Sequence, residues 1–149
     1  MPDTSLDDAD PRFGGVSSTS GRVDFDLVLV VGSSPVNRVV VSKIAERMGL
    51  RAIAAEPEAA PATLFASNPG TVILDGGADG RECDSVIEGL AAQRLAAGGR
   101  APVVILLQNP VPSHGQPPKG GTIDAIVAKP ISPDRLQPLI RSMIDRVRG

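Results

Sequence analysis

The sequence predicts an α/β domain built on a doubly wound, five-stranded parallel sheet with helices on both faces. Two observations lead to this prediction. Short, nearly continuous apolar runs, which are typical of strands buried on both faces, recur along the chain. They alternate with segments whose apolar residues repeat at helical spacing, and strands that alternate with helices favour right-handed crossovers between parallel neighbours.

The predicted elements follow from this alternation and from the residues that start and stop helices. Ser34-Pro35 and Ser132-Pro133 each offer an N-cap followed by a first-turn proline, which begins a helix. The predicted strands are residues 25–31, 50–54, 71–75, 102–107 and 123–128. The predicted helices are residues 35–48, 58–66, 80–97 and 133–147, and Cys83 falls on the apolar side of the third.

Length and composition bound the class of protein. The 149 residues fit a single domain, and we expect residues 1–22, rich in Asp, Ser, Gly and Thr, to form a disordered tail or linker. A net charge of −2, with three Phe and neither Trp nor Tyr, speaks against nucleic-acid binding. The first residues contain no apolar run, so we expect neither a signal peptide nor a membrane contact. The single cysteine favours a cytoplasmic location.

Candidate site residues lie where the predicted strands end. Asp75 ends the third strand, Gly32 and Ser33 follow the first, and Lys129 follows the fifth. Because the carboxyl ends of parallel strands share one rim of the sheet, we expect Asp75 and Lys129 to lie close together. Such a pair could bind an anion such as a phosphoryl group, or it could be a plain ion pair.

Three motifs carry a resemblance to a known family: residues 35–38 at the start of the first helix, residues 72–75, and residues 124–131. From about residue 25 to residue 147, the chain resembles a receiver domain of bacterial two-component systems, especially the receivers attached to hybrid histidine kinases. The resemblance implies a receiver-like domain over residues 23–149 with the flavodoxin-like strand order 2-1-3-4-5. It also implies that Asp75 corresponds to the phospho-acceptor and Lys129 to the phosphate-contacting lysine.

The same resemblance shows departures from the family pattern. Gly32 and Ser33 stand where receivers carry the two acids that hold Mg²⁺. Leu107 stands at the position of the switch hydroxyl and Ile126 at that of the coupled aromatic. Residues 110–118, with four prolines, replace the family's fourth helix, which we predict to be degenerate. These departures imply a degenerate receiver, or pseudo-receiver, without metal, cofactor or enzymatic activity.

The function that we expect is a signalling module of a two-component phosphorelay that acts by protein–protein interaction. Its partner would be a histidine kinase or a phosphotransfer protein. The residues that we expect on the interaction face belong to the first helix and to the start of the last one: Asn37, Arg38, Pro130, Ser132 and Arg135.

Two alternatives stay open at this point. A phospho-acceptor that still uses Asp75 would need metal ligands from elsewhere, such as Asp26 or Asp8. A cyclic-dinucleotide sensor would need an aromatic residue and paired arginines near the last strand and helix, where the chain offers Ile126 and Arg135, so a cyclic dinucleotide is possible but not favoured. A flavodoxin-like cofactor binder is disfavoured because the loop after the first strand is short and ends at Pro35.

Overall fold

The structure, a computed structural model, describes residues 23–77, 83–96, 98–99, 101–109 and 122–148. The strands are β1 (Asp24–Val31), β2 (Arg51–Ala55), β3 (Pro69–Asp75), β4 (Val103–Gln108) and β5 (Ala125–Ala128). The helices are α1 (Pro35–Glu46), α2 (Ala60–Ser67), α3 (Asp84–Ala96) and α4 (Pro133–Arg148). Strands and helices alternate from β1 to β4 and again from β5 to the last helix, and the segment between β4 and β5 is described only at its two ends.

The five strands form one all-parallel sheet in the order β2-β1-β3-β4-β5, which confirms the predicted fold class and strand order. β3 is the central strand, with β1 on one side and β4 on the other. Its last residue, Asp75, is in register with Leu107 of β4. The carboxyl end of β3 therefore lies in the middle of the rim where ligand sites form in sheets of this kind.

Two apolar layers cover the sheet because successive side chains of a strand point to opposite faces. On one face Val28 and Val30 of β1 pack in a cluster with residues of α1 and α4, among them Ile44 and Ile140. On the other face Leu29 and Val31 pack with residues of α2 and α3. None of the helices that the structure describes combines the length and the hydrophobicity that crossing a membrane requires.

The element bounds differ from the sequence prediction by a few residues, for local reasons. β3 begins at Pro69 rather than at residue 71, because Asp24 of β1 pairs with Pro69. The backbone N–H of Asp24 also donates to the Asn68 carbonyl at 3.0 Å. α1 ends at Glu46, and Gly49, at φ +85°, completes the turn into β2. The predicted N-terminal tail, the proline-rich loop at residues 110–118 and the degenerate fourth helix lie outside the described residues.

Candidate functional site

The candidate site is built around the carboxylate of Asp75 at the end of β3. Every residue of this strand is buried, and Asp75 is only 5% exposed. A carboxylate in such a place must find hydrogen-bond donors, because an unpaired buried charge is strongly unfavourable. Both oxygens of Asp75 have such donors, and they come from three separate parts of the chain.

Lys129 supplies the charged donor. Its backbone N–H donates to the Gln108 carbonyl at 2.9 Å, which fixes the residue just beyond β5. From there its side chain crosses the end of β4, and its Nζ lies 2.6 Å from Oδ1 of Asp75. The Lys129 side chain is only 18% exposed, so water screens this ion pair weakly. The predicted proximity of Asp75 and Lys129 is thus present in the structure.

Asn37 in the first turn of α1 supplies the second donor. The Ser34 hydroxyl accepts the backbone N–H of Asn37 at 3.2 Å and caps the helix, as the sequence predicts for Ser34. This cap orients the first turn toward the rim, and Nδ2 of Asn37 donates to Oδ2 of Asp75 at 2.7 Å. Asn37 was predicted on the interaction face, whereas its side-chain amide contacts Asp75 in the site.

The backbone after β3 supplies the third donor and completes the environment of the carboxylate. The N–H of Gly77 donates to Oδ1 of Asp75 at 3.0 Å. Burial by itself raises the pKa of Asp75, but the hydrogen bonds from Lys129, Asn37 and Gly77 together outweigh burial and hold that pKa below its ordinary value of 3.8. At neutral pH the carboxylate of Asp75 is therefore ionised, and the ammonium group of Lys129 balances its charge.

Gly32 lies against Asp75 at the end of β1. A Cβ at this position would be 2.8 Å from the Cβ of Asp75 and 3.5 Å from its Oδ2, so the backbone of β1 occupies the space beside the carboxylate. Arg38 closes the other side of this segment, since its Nη1 donates to the Gly32 carbonyl at 2.5 Å. Ser33, the next residue, is exposed. Arg38, predicted on the interaction face, thus also holds the end of β1 in place.

The two predicted switch positions lie on different sides of the sheet. Leu107 is 1% exposed and packs in the same cluster as Val127, its register partner on β5. Ile126 pairs in register with Leu106 instead, so its side chain points to the opposite face, where it is 37% exposed. An apolar Leu107 offers no hydrogen bond to a group bound at Asp75.

The remaining predicted residues lie at the margin of the site. Pro130 and Arg135 are exposed, and Ser132 begins α4 by accepting the backbone N–H of Leu136 at 3.0 Å through its carbonyl. Cys83 is buried beneath the site, and its Sγ donates to the backbone carbonyl of Asp75 at 3.3 Å. The prediction that Cys83 is a core residue is confirmed. Within the described residues, no group of three or more His, Cys, Asp or Glu could hold a metal ion.

Comparisons with known proteins agree with this architecture at the level of structure. No protein-family model matches the chain, and no curated protein sequence matches it. Among solved structures, the chemotaxis protein CheY4 of Vibrio cholerae is 17% identical with a TM-score of 0.62, and the match covers 80% of this chain and 99% of that one.

Two further solved structures have the same fold. The receiver domain of a sensor histidine kinase from Pseudomonas aeruginosa, with magnesium coordinated in its active-site cleft, is 18% identical with a TM-score of 0.60 and covers 82% of this chain and 99% of its own. The pseudo-receiver domain of the CikA protein is 18% identical with a TM-score of 0.58, covering 82% of this chain and 96% of its own. The chain therefore has the fold of the CheY-like receiver domains of two-component signalling.

Proposed function

We propose that this chain is a pseudo-receiver: a signalling module that acts by protein–protein interaction and does not depend on Mg²⁺-assisted phosphorylation of Asp75. Receiver domains are in general signalling modules rather than enzymes. The observation that supports the proposal most directly is the state of the Asp75 carboxylate. Lys129, Asn37 and Gly77 already donate to both of its oxygens.

A phospho-acceptor carboxylate has to present a free oxygen to the incoming phosphorus atom. At Asp75, Oδ1 accepts two hydrogen bonds, and Oδ2 accepts one from Asn37 at 2.7 Å. Attack through Oδ1 therefore requires at least one of its two bonds to break, and attack through Oδ2 has to take place beside the Asn37 amide. The donors thus stabilise the unmodified form.

Among the residues that the structure describes, those around Asp75 do not fit a magnesium ion. Mg²⁺ requires oxygen ligands in near-octahedral geometry at about 2.0–2.1 Å. The groups that meet Asp75 here are an ammonium, an amide NH₂ and a backbone N–H, all of which are donors. Gly32 contributes no side chain, and a Cβ there would approach Asp75 too closely for a carboxylate to be added without rearrangement. Phosphoryl transfer relies on such a metal to neutralise developing charge.

The exposed side of α1 offers the surface for a partner. Three valines of this helix project into solvent: Val36 (70% exposed), Val39 (59%) and Val40 (38%). Val41, Ile44 and Ala45 on its other side are buried against the sheet. Exposed apolar side chains concentrated on one helix mark an interaction surface. We assign this surface, with Pro130, Ser132 and Arg135 at the neighbouring start of α4, to a histidine kinase or phosphotransfer protein. Cys83 is buried and forms no disulfide among the described residues, which is compatible with a cytoplasmic location.

The test is an amide NMR titration of the full chain with Mg²⁺ and then with beryllofluoride, a mimic of the phosphoryl group. We expect the amide resonances of Gly32, Asp75 and Gly77 to keep their chemical shifts at millimolar Mg²⁺, with or without the mimic. The Asp75→Asn variant is the control, since any shift that it shares with the wild type is unrelated to the carboxylate. Saturable shifts of these amides in the wild type alone would overturn the proposal and restore the acceptor role.

A further inference from the structure

A second apolar surface, on the opposite face of the sheet from α1, is formed by helix α2. The sequence of this helix, APATLFAS, contains no charged residue. Its inner side, Ala60 and Leu64, is buried in the core. Its outer side is also apolar and consists of Pro61, Ala62, Phe65 and Ala66, all exposed, with Phe65 at 84%. A helix that is apolar all round is normally covered on all sides.

The two hydroxyl groups of α2 do not make this outer side polar. Thr63 donates its Oγ1–H to the Ala59 carbonyl at 3.1 Å, and Ser67 donates to the Thr63 carbonyl at 2.6 Å. Both hydroxyls therefore satisfy the backbone of their own helix. We call the exposed set Pro61, Ala62, Phe65 and Ala66 the α2 face. It gives a partner a large aromatic ring beside two small residues, with no charge to neutralise.

We propose that the α2 face is the contact between two copies of this chain, paired antiparallel about a two-fold axis. An axis through the middle of α2, between Thr63 and Leu64, relates position 65 of one copy to position 62 of the other. Phe65 then lies over Ala62 of the second copy, and the reverse contact is identical. A large side chain meets a small one in both of these contacts, so the surface is complementary to itself, as a two-fold interface requires.

The acidic residues just before α2 favour this antiparallel arrangement over a parallel one. Glu56 and Glu58 are exposed and precede the helix. In a parallel pair the acids of the two copies would lie side by side. In the antiparallel pair they lie at opposite ends of a helix about 12 Å long, farther apart than the screening length of roughly 8 Å at physiological salt. The middle of the contact is uncharged in both copies, so self-pairing meets no like-charge repulsion.

The size of the contact sets its strength. Burial of a phenylalanine removes roughly 150–250 Å² from water, and the other members of the α2 face are small. The contact therefore falls below the roughly 1,200 Å² typical of stable complexes and belongs to the weak, concentration-dependent class. We expect a dissociation constant on the order of 100 μM. This inference goes beyond the proposed function and does not depend on the state of Asp75.

Sedimentation analysis of the full chain over about 5 μM to 1 mM tests the proposal, with Phe65→Asp as the disrupting variant. We expect the wild type to become dimeric as the concentration rises, with at least a tenfold weaker association for Phe65→Asp. Leu95→Asp is the matched control, because Leu95 on α3 is similarly exposed (79%) and lies outside the α2 face. Its dimerisation should equal that of the wild type. Circular dichroism on each variant checks that the fold is retained.

An isotope-filtered NMR experiment on mixed labelled and unlabelled chains tests the register. We expect contacts between the Phe65 ring of one copy and the Ala62 methyl group of the other. A wild type that stays monomeric up to 1 mM would overturn the proposal. So would a dimer that Phe65→Asp leaves intact, or one that Leu95→Asp or Val36→Asp dissociates, since each of these results would place the contact on another surface.

Discussion

Gly32 and Asp75 approach so closely that a Cβ on residue 32 would lie 2.8 Å from the Cβ of Asp75. Gly32 directly follows β1 and lies beside the carboxylate at the end of the central strand. Contacts this short between carbon atoms are strongly repulsive, so a larger residue at position 32 requires β1 or Asp75 to move. The present positions of β1 and Asp75 therefore depend on the lack of a side chain at residue 32.

The first prediction is that Gly32→Ala destabilises the chain by about 1–3 kcal/mol, the usual cost of overpacking a tightly packed position. Chemical denaturation measures the change. Gly89→Ala is the matched control: Gly89 lies within α3, and a Cβ there meets nothing within 4 Å. The control should gain about 0.5–1 kcal/mol from helix propensity. Equal effects of the two substitutions would contradict the close approach.

The second prediction concerns acid stability. Because the pKa of Asp75 in the folded state lies below 3.8, its ionised form stabilises the fold above that pH, and this stabilisation is lost as the pH falls through the folded-state pKa. Lys129→Met removes the principal donor and should raise the pKa of Asp75, so that its contribution is lost at higher pH. NMR titration of the Asp75 carboxyl carbon measures the shift.

Denaturation at pH 7 measures the coupling energy between Asp75 and Lys129. Lys129→Met leaves a buried carboxylate without its cation and should cost about 3 kcal/mol. The double variant Asp75→Asn with Lys129→Met should cost clearly less than the single Lys129→Met, because no unpaired charge remains. If the separate effects of Asp75→Asn and Lys129→Met simply add in the double variant, then Asp75 and Lys129 do not interact as the 2.6 Å distance implies.

The third prediction concerns Thr71 in the middle of β3. This residue is fully buried, and its Oγ1 has no hydrogen-bond partner among the residues that the structure describes. Thr71→Val replaces the hydroxyl with a methyl group of similar size and should stabilise the chain by about 1 kcal/mol, because an unsatisfied buried hydroxyl is removed. Thr71→Ser keeps the hydroxyl, loses the methyl group and should destabilise it. Thermal unfolding of both variants measures the difference, and a destabilised Thr71→Val would indicate a hidden partner for Oγ1.

The sequence predicted the sheet well because buried strands and capped helices leave local signals. The apolar run before Asp75 and the Ser34-Pro35 helix start are both visible in the chain itself. The closeness of Lys129 to Asp75 could also be predicted, since parallel strands end at a common rim.

What the sequence could not reveal depends on distances between distant segments. The direction of the Asn37 amide is decided by how α1 leaves β1, and the tight fit of Gly32 by the register of β1 on β3. Similarly, the exposure of Phe65 follows from which side of α2 meets the core, although the uncharged composition of that helix was a usable signal.

The last prediction separates the site from the interaction surface in partner binding. The valines of α1 face solvent, whereas Asn37 on the same helix faces Asp75, so changes on the two sides of the helix should act independently. Val39→Glu places a charge on the exposed side and should weaken binding to a histidine kinase or phosphotransfer partner at least tenfold. Asp75→Asn should change that binding by less than about 0.5 kcal/mol, the range of substitutions away from a contact.

Calorimetric titration of each variant against the same partner makes the comparison, with Leu95→Glu as the control for adding a charge at an exposed apolar position on another helix. The control should bind like the wild type, because α3 covers the opposite face of the sheet. Weaker binding by Asp75→Asn with Val39→Glu unaffected would assign recognition to the carboxylate. That result would contradict a pseudo-receiver that works through its α1 surface.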